Sequence, residues 1–134
     1  MKVYLAAKYG QMMEMRDVRD RLVAAGHEVT SQWIDGKEES DAGATDATME
    51  AAARMDIEDV LRADVLVAFS QERGTLHTGG GRHVEFGVAV GEGIDVLVVG
   101  PKGEHVFHYL GGVEHVPDID ALLARLDSMQ RGES

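Results

Sequence analysis

Apolar positions along this chain come in short continuous runs that alternate with stretches of helical period. Residues 2–7 (KVYLAA) form an apolar run bounded by Lys8, Tyr9 and Gly10, the pattern of a buried first strand. Met12, Met15, Val18, Leu22 and Val23 then recur at helical spacing, with Arg and Asp on the other face and Gly26 as the stop. Residues 27–34 (HEVTSQWI) are β-branched and partly alternating, which predicts a second strand. Residues 35–46 are polar and Gly-bearing, a loop of about a dozen residues and long enough to suspect function. A second helix is predicted over 48–62, with Ala53, Ile57, Val60 and Leu61 as its apolar stripe. Residues 65–69 (VLVAF) are continuously apolar, as in parallel strands covered on both faces. A long loop with four glycines spans 70–81, and 82–90 reads as a helix. Residues 94–99 (IDVLVV) predict another central strand, 105–110 are ambiguous, and 113–116 form a short fifth strand. Asp118 caps a final helix over 119–129.

This alternation predicts an α/β protein: a five-stranded, mainly parallel sheet with helices on both faces and right-handed crossovers. In such sheets the ligand sits beyond the carboxyl ends of the strands, near the switch in strand order. Those ends fall at 7–10, 33–36, 69–81 and 100–105. Without a repeat, a low-complexity tract or a break in composition, residues 1–134 read as one domain.

Composition narrows the chemistry. The chain has 134 residues, 44% hydrophobic and 28% charged, and no cysteine, so neither disulfides nor thiolate metal sites are available. The first residues, MKVYLAAKYG, lack the pattern of a signal peptide, and no apolar stretch is long enough to span a bilayer; a cytoplasmic protein is expected. The formal net charge of −11 disfavours nucleic acid polymers and anionic membranes as partners. It leaves room for a small anion held locally by backbone N–H groups and a few placed cations. No exposed apolar stripe of the kind that would mark a partner-binding domain is apparent.

The segment GTLHTGGGRHVEFG is the most informative stretch. Its consecutive glycines suit a backbone that adopts unusual dihedrals or approaches a ligand closely, and the helix that follows offers unpaired N–H donors. The bland alternative is a flexible surface loop. Neither the P-loop nor the dinucleotide fingerprint is matched. Glu85 is placed in the first turn of that helix, where a carboxylate serves as nucleophile or general base at the sheet's edge, or simply complements the dipole. Asp56, within a helix, is either functional or an exposed helical acid. Asp64 reads as a structural tie between helix and strand. Tyr4 either points its hydroxyl at the same edge or packs. Trp33, the single tryptophan, either packs in the core or stacks on a base. An anionic group of a ligand would be held by N–H groups of Gly79, Gly80, Gly81 and Arg82, helped by the Arg82 side chain and by His77 or Lys8. His77, His83, His105 and His108 show no recognised metal spacing, and no metal or cofactor is expected.

Four segments together resemble the nucleoside 2-deoxyribosyltransferase-like superfamily, which includes 2′-deoxynucleoside 5′-phosphate N-hydrolases. They are KVYLAA at 2–7, RMDIEDVLRAD at 54–64, VLVAF at 65–69 and VEFGVAV at 84–90. The resemblance implies a flavodoxin-like three-layer sandwich that assembles as a homodimer or larger homo-oligomer, with partner residues closing the site. It implies a small nucleoside or nucleotide as substrate. It assigns Glu85 as the nucleophile that attacks the anomeric carbon, Asp56 to sugar binding and catalysis, and Tyr4 to orienting the glutamate. Position 79 is glycine where the family's transferases carry an acid and its phosphohydrolases a serine, which tilts the reading toward hydrolysis.

Overall fold

A computed structural model describes residues 1–36, 44–72 and 80–132. Five strands form one all-parallel sheet: β1 (Lys2–Ala6), β2 (Glu28–Val29), β3 (Val65–Phe69), β4 (Asp95–Val99) and β5 (Val113–Val116). Their order is β2-β1-β3-β4-β5, the flavodoxin-like arrangement, with the reversal of winding between β1 and β3. Four helices connect them: α1 (Met12–Ala24), α2 (Asp46–Leu61), α3 (Gly81–Gly91) and α4 (Ile119–Gln130). On one face α1 and α4 are joined by an Arg21–Asp120 pair at 2.6 Å; α2 and α3 pack against each other on the other.

The strands form where the apolar runs predict them, because burial on both faces selects unbroken runs. Val3 to Ala6 are all solvent-inaccessible, and every residue of β3 is buried. From α1, Met12, Met15, Val18 and Leu22 close the core, whereas Val23 stays outside it. Asp118 caps α4 by accepting from Ala121 N–H at 2.8 Å. Asp64 is structural, but its partner is the start of β1: it accepts from Lys2 N–H at 2.8 Å.

Two expectations need correction. The second strand is only Glu28–Val29, and the residues after it turn into a 3₁₀ segment, Gln32–Asp35. Side chains replace the ladder there. Thr30 N–H still donates to Val3 C=O at 2.8 Å, but Leu5 N–H then donates to Ser31 Oγ at 3.1 Å. Leu5 C=O accepts from the Trp33 indole N–H at 2.8 Å. The polar groups of β1 are therefore satisfied without a longer neighbour, as buried backbone requires.

The second correction concerns α2. Its Ala53, Ile57 and Leu61 face solvent, and with Met49 they leave an apolar stripe that no other described element covers. The inward face instead carries the buried pair Asp59 and Val60. A search for an apolar stripe misplaces this helix because its inward face bears acids.

One backbone position is tightly constrained. Gly100, just past β4, has φ +113, and a Cβ there would lie 2.9 Å from Ser70 Oγ. Ser70 Oγ itself donates to Pro101 C=O at 2.6 Å. Gly100→Ala combines a disfavoured dihedral with a clash at the end of β3, and should cost about 1–3 kcal/mol of stability. Urea denaturation would show this as a lowered midpoint at unchanged slope.

Candidate active site

The carboxyl ends of β1 and β3 flank the reversal in strand order, and a cleft of about 320 Å³ opens there. Its floor is the end of β1, with Ala7, Lys8 and Tyr9; one wall is Ala52, Met55 and Asp56 from α2. Trp33 and Gly36 form a second wall, and Gly80, Gly81, Arg82 and Glu85 from the start of α3 form the third. Of the residues assigned from sequence, His77 and Gly79 lie outside the described residues. Lys8, Trp33, Asp56, Gly80, Gly81, Arg82 and Glu85 are brought together.

Tyr4 sits mid-strand among apolar neighbours and is wholly buried, so its hydroxyl must find a partner. It donates to Glu85 Oε2 at 2.6 Å, across 81 positions of sequence. Glu85 is the fifth residue of α3, just past the first turn, so the helix dipole does not explain its place. It is 9% exposed. Burial pushes its pKa up to about 8, against the opposing pull of the Tyr4 bond, and the charge of Asp56 adds to the rise. The Tyr4 phenol is likewise pushed up, by burial and then by Glu85 beside it.

Asp56 is half-buried on α2, and its Oδ1 is shielded from water with no hydrogen-bond partner among the described residues. Desolvation raises its pKa to about 6, with a further push from Asp59. A buried carboxylate oxygen left unsatisfied is costly and marks a place that a ligand, an ion or an ordered water completes. Two carboxyls whose pKa values stand apart, both above the ordinary range, fit an acid–base pair at neutral pH.

The other assigned residues behave differently from expectation in part. Neither Gly80 nor Gly81 has positive φ, and a Cβ at either would meet nothing within 4 Å. They leave open space beside the helix start instead of adopting special dihedrals. The Arg82 guanidinium is buried against Glu104 in a two-pronged pair, with Nη1 to Oε1 at 2.8 Å. Burial disfavours the Glu104 charge, yet the Arg82 bonds and the Gln71 N–H hold its pKa down to about 2. Trp33 is only 8% exposed and spends its N–H on Leu5. The more accessible aromatic is Tyr9, 54% exposed, its ring centroid 6.2 Å from that of Trp33 and tilted by 33°. Sequence reasoning passed over Tyr9, although it lies at a strand end already marked for ligand binding.

Behind α3, His83, His105, His108 and His115 stack in sequence, with ring centroids 4.9, 4.2 and 5.6 Å apart. Burial drives the His108 pKa down to about 4 and lowers those of His105 and His115. His105, His108 and His115 thereby favour their neutral forms. Among the described residues no group of three or more His, Cys, Asp or Glu side chains could hold a metal ion. Nor is any helix among them long and apolar enough to cross a membrane.

No protein-family model matches the chain, and no curated protein does. Solved structures do. The CMP N-glycosidase BcmB of Clostridium botulinum superimposes with a TM-score of 0.58 at 19% identity, over 95% of this chain and 98% of that one. The 2-deoxyribosyltransferase of Bacillus psychrosaccharolyticus gives 0.69 at 19% identity, over 92% and 90%. A conserved protein of Enterococcus faecalis V583 gives 0.69 at 16% identity, over 96% and 98%. The fold is theirs. The resemblance read from the four sequence segments thus holds at the level of architecture, and a five-stranded flavodoxin-like sandwich is the form this chain takes.

The protonation of Glu85 has a measurable consequence. Its folded-state pKa of about 8 lies above the ordinary 4.5, so the folded protein holds a proton that the unfolded chain releases. Stability therefore falls as pH rises between those values. Asp56 contributes in the same direction over a narrower window, up to about 6. Glu85→Gln keeps an oxygen for Tyr4 but removes the titration. Its melting temperature should exceed wild type at pH 9, by an amount on the order of a few kcal/mol of stability, and converge with it near pH 4.

Proposed function

We propose that this protein cleaves the N-glycosidic bond of a nucleoside or (2′-deoxy)nucleoside 5′-monophosphate, releasing the free base. One observation carries the reading: Glu85, held by the Tyr4 hydroxyl at 2.6 Å, lines the same cleft as Asp56, whose buried Oδ1 lacks a partner among the described residues. The fold shared with a CMP N-glycosidase and a 2-deoxyribosyltransferase supports it.

Between pH values of about 6 and 8 the two carboxyls together hold one proton. That is the state the reaction needs. At rest that proton sits mainly on Glu85, whose pKa is the higher; it passes to Asp56 as the substrate enters, and Glu85 then attacks the anomeric carbon as carboxylate. The C–N bond breaks, its electron pair goes to the departing base, and the Asp56 proton neutralises it. Tyr4 fixes the carboxylate's direction, and the ester formed is resolved by water, whose proton returns to the pair. If a second base resolves the ester instead, the same site is a deoxyribosyltransferase. The substrate's ring stacks against Tyr9 and the edge of Trp33. Its 5′ end faces Gly80, Gly81 and Lys8, with Arg82 shaping that corner through its pair with Glu104. A non-catalytic nucleotide-binding role would also complete Asp56 Oδ1, and release of free base is what separates it from catalysis.

The apolar stripe Met49, Ala53, Ile57 and Leu61 on α2 supports a homodimer, since α2 also carries Asp56 to the cleft. An acidic, cysteine-free chain fits a cytoplasmic setting.

Base release from a panel of nucleosides and monophosphates tests the reaction. Expected is a bell-shaped kcat/KM profile with limbs near pH 6 and 8, and a loss on the order of 10³-fold or more in kcat for Glu85→Ala. Near-normal turnover by that variant would remove the covalent mechanism. Light scattering tests the assembly: wild type should elute as a dimer and Ile57→Glu as a monomer.

A further inference from the structure

Asp59 lies one turn beyond Asp56 on α2 and is 1% exposed, an unusual place for a charged side chain. It is not idle there. Its Oδ2 accepts from Gln32 N–H at 3.0 Å, its Oδ1 from Gln32 Nε2 at 2.9 Å, and the Arg62 guanidinium caps Oδ1 from outside. The Asp59 carbonyl accepts from Thr30 Oγ1 at 2.8 Å. Gln32 opens the 3₁₀ segment whose next residue is Trp33, and Trp33 is anchored on its other side by Leu5.

From this connectivity we infer that Asp59 is a positioning residue, clamping the Trp33 wall of the cleft to the helix that carries Asp56. The separation of these two walls then depends on that carboxylate at Gln32 and on the Thr30 bond to the Asp59 carbonyl. Packing alone would not fix it, because the 3₁₀ segment has left the sheet ladder and α2 turns acids inward. A buried acid replaced by an apolar residue of similar size commonly costs little when it is only structural. Here the Gln32 N–H would lose its acceptor, Gln32 Nε2 and Arg62 would turn to solvent, and the wall they belong to would lose its tie to α2.

The role in turnover rests on the glycosidase reading; the role in holding the wall does not. Trp33 is the single tryptophan, so its emission reports the wall directly. The test compares wild type, Asp59→Ala, Asp59→Asn and Gln32→Ala by acrylamide quenching of that emission in the folded state, alongside KM and kcat for base release. Asp59→Ala should raise the quenching constant severalfold and shift emission to the red. Its KM should rise about tenfold, the weak end of what one hydrogen bond to a charged group is worth, with kcat changed far less. Gln32→Ala should move both readouts the same way by less, while Asp59→Asn, which keeps an acceptor for Gln32 N–H, should restore most of the wild-type quenching. Should Asp59→Ala not fold, the other two variants still decide the matter. Wild-type quenching and KM in folded Asp59→Ala and Gln32→Ala, with only a lowered melting temperature, would overturn the inference. If wild type releases no base from any nucleoside or monophosphate, the glycosidase reading fails, while the quenching comparison still stands on its own.

Discussion

The bond between Tyr4 and Glu85 joins the first strand to the third helix, and most of the site follows from it. A phenol in the middle of a fully buried strand requires a polar partner, and a carboxyl shielded from water requires a donor. Each supplies what the other lacks, at 2.6 Å. The helix must therefore cross β1 at one height and one rotation. That rotation turns Phe86 and Ala89 into the core and leaves the open glycines at the helix start beside the cleft. The packing of the core and the place of the Glu85 carboxyl are thus specified by the same contact.

A second constraint acts on the opposite side of β1. The ladder between β1 and β2 stops short of the cleft, whose wall at that point is Trp33 and Gly36. The chain ends the ladder early and finishes the strand's hydrogen bonds with Ser31 and Trp33. Backbone satisfaction is preserved, and side chains of chosen shape stand where a flat strand would have been.

The apolar runs of β1, β3 and β4 are legible in the sequence because parallel central strands leave no other pattern open to them. Glu85 is legible for a related reason: a glycine stretch leading into VEFG marks a helix start at the sheet's carboxyl edge. The end of β2 is not, because Thr30–Trp33 has strand-like composition while its polar atoms are used sideways. Nor is the orientation of α2, where Asp59 faces inward on account of Gln32, far away in sequence, and Asp56 lines the cleft. The stacking of His83 with His105, His108 and His115 is equally hidden, since those rings come from three separate segments. Periodicity reports which residues avoid water; it does not report which polar groups have found one another.

Glu104 accepts from Gln71 N–H at 3.0 Å and from Arg82 at 2.8 Å. One donor follows β3 and the other opens α3, so a single carboxylate after β4 ties the end of one strand to the start of the helix that bears Glu85. One charge thus acts as a rivet between three parts of the chain that sequence order keeps apart.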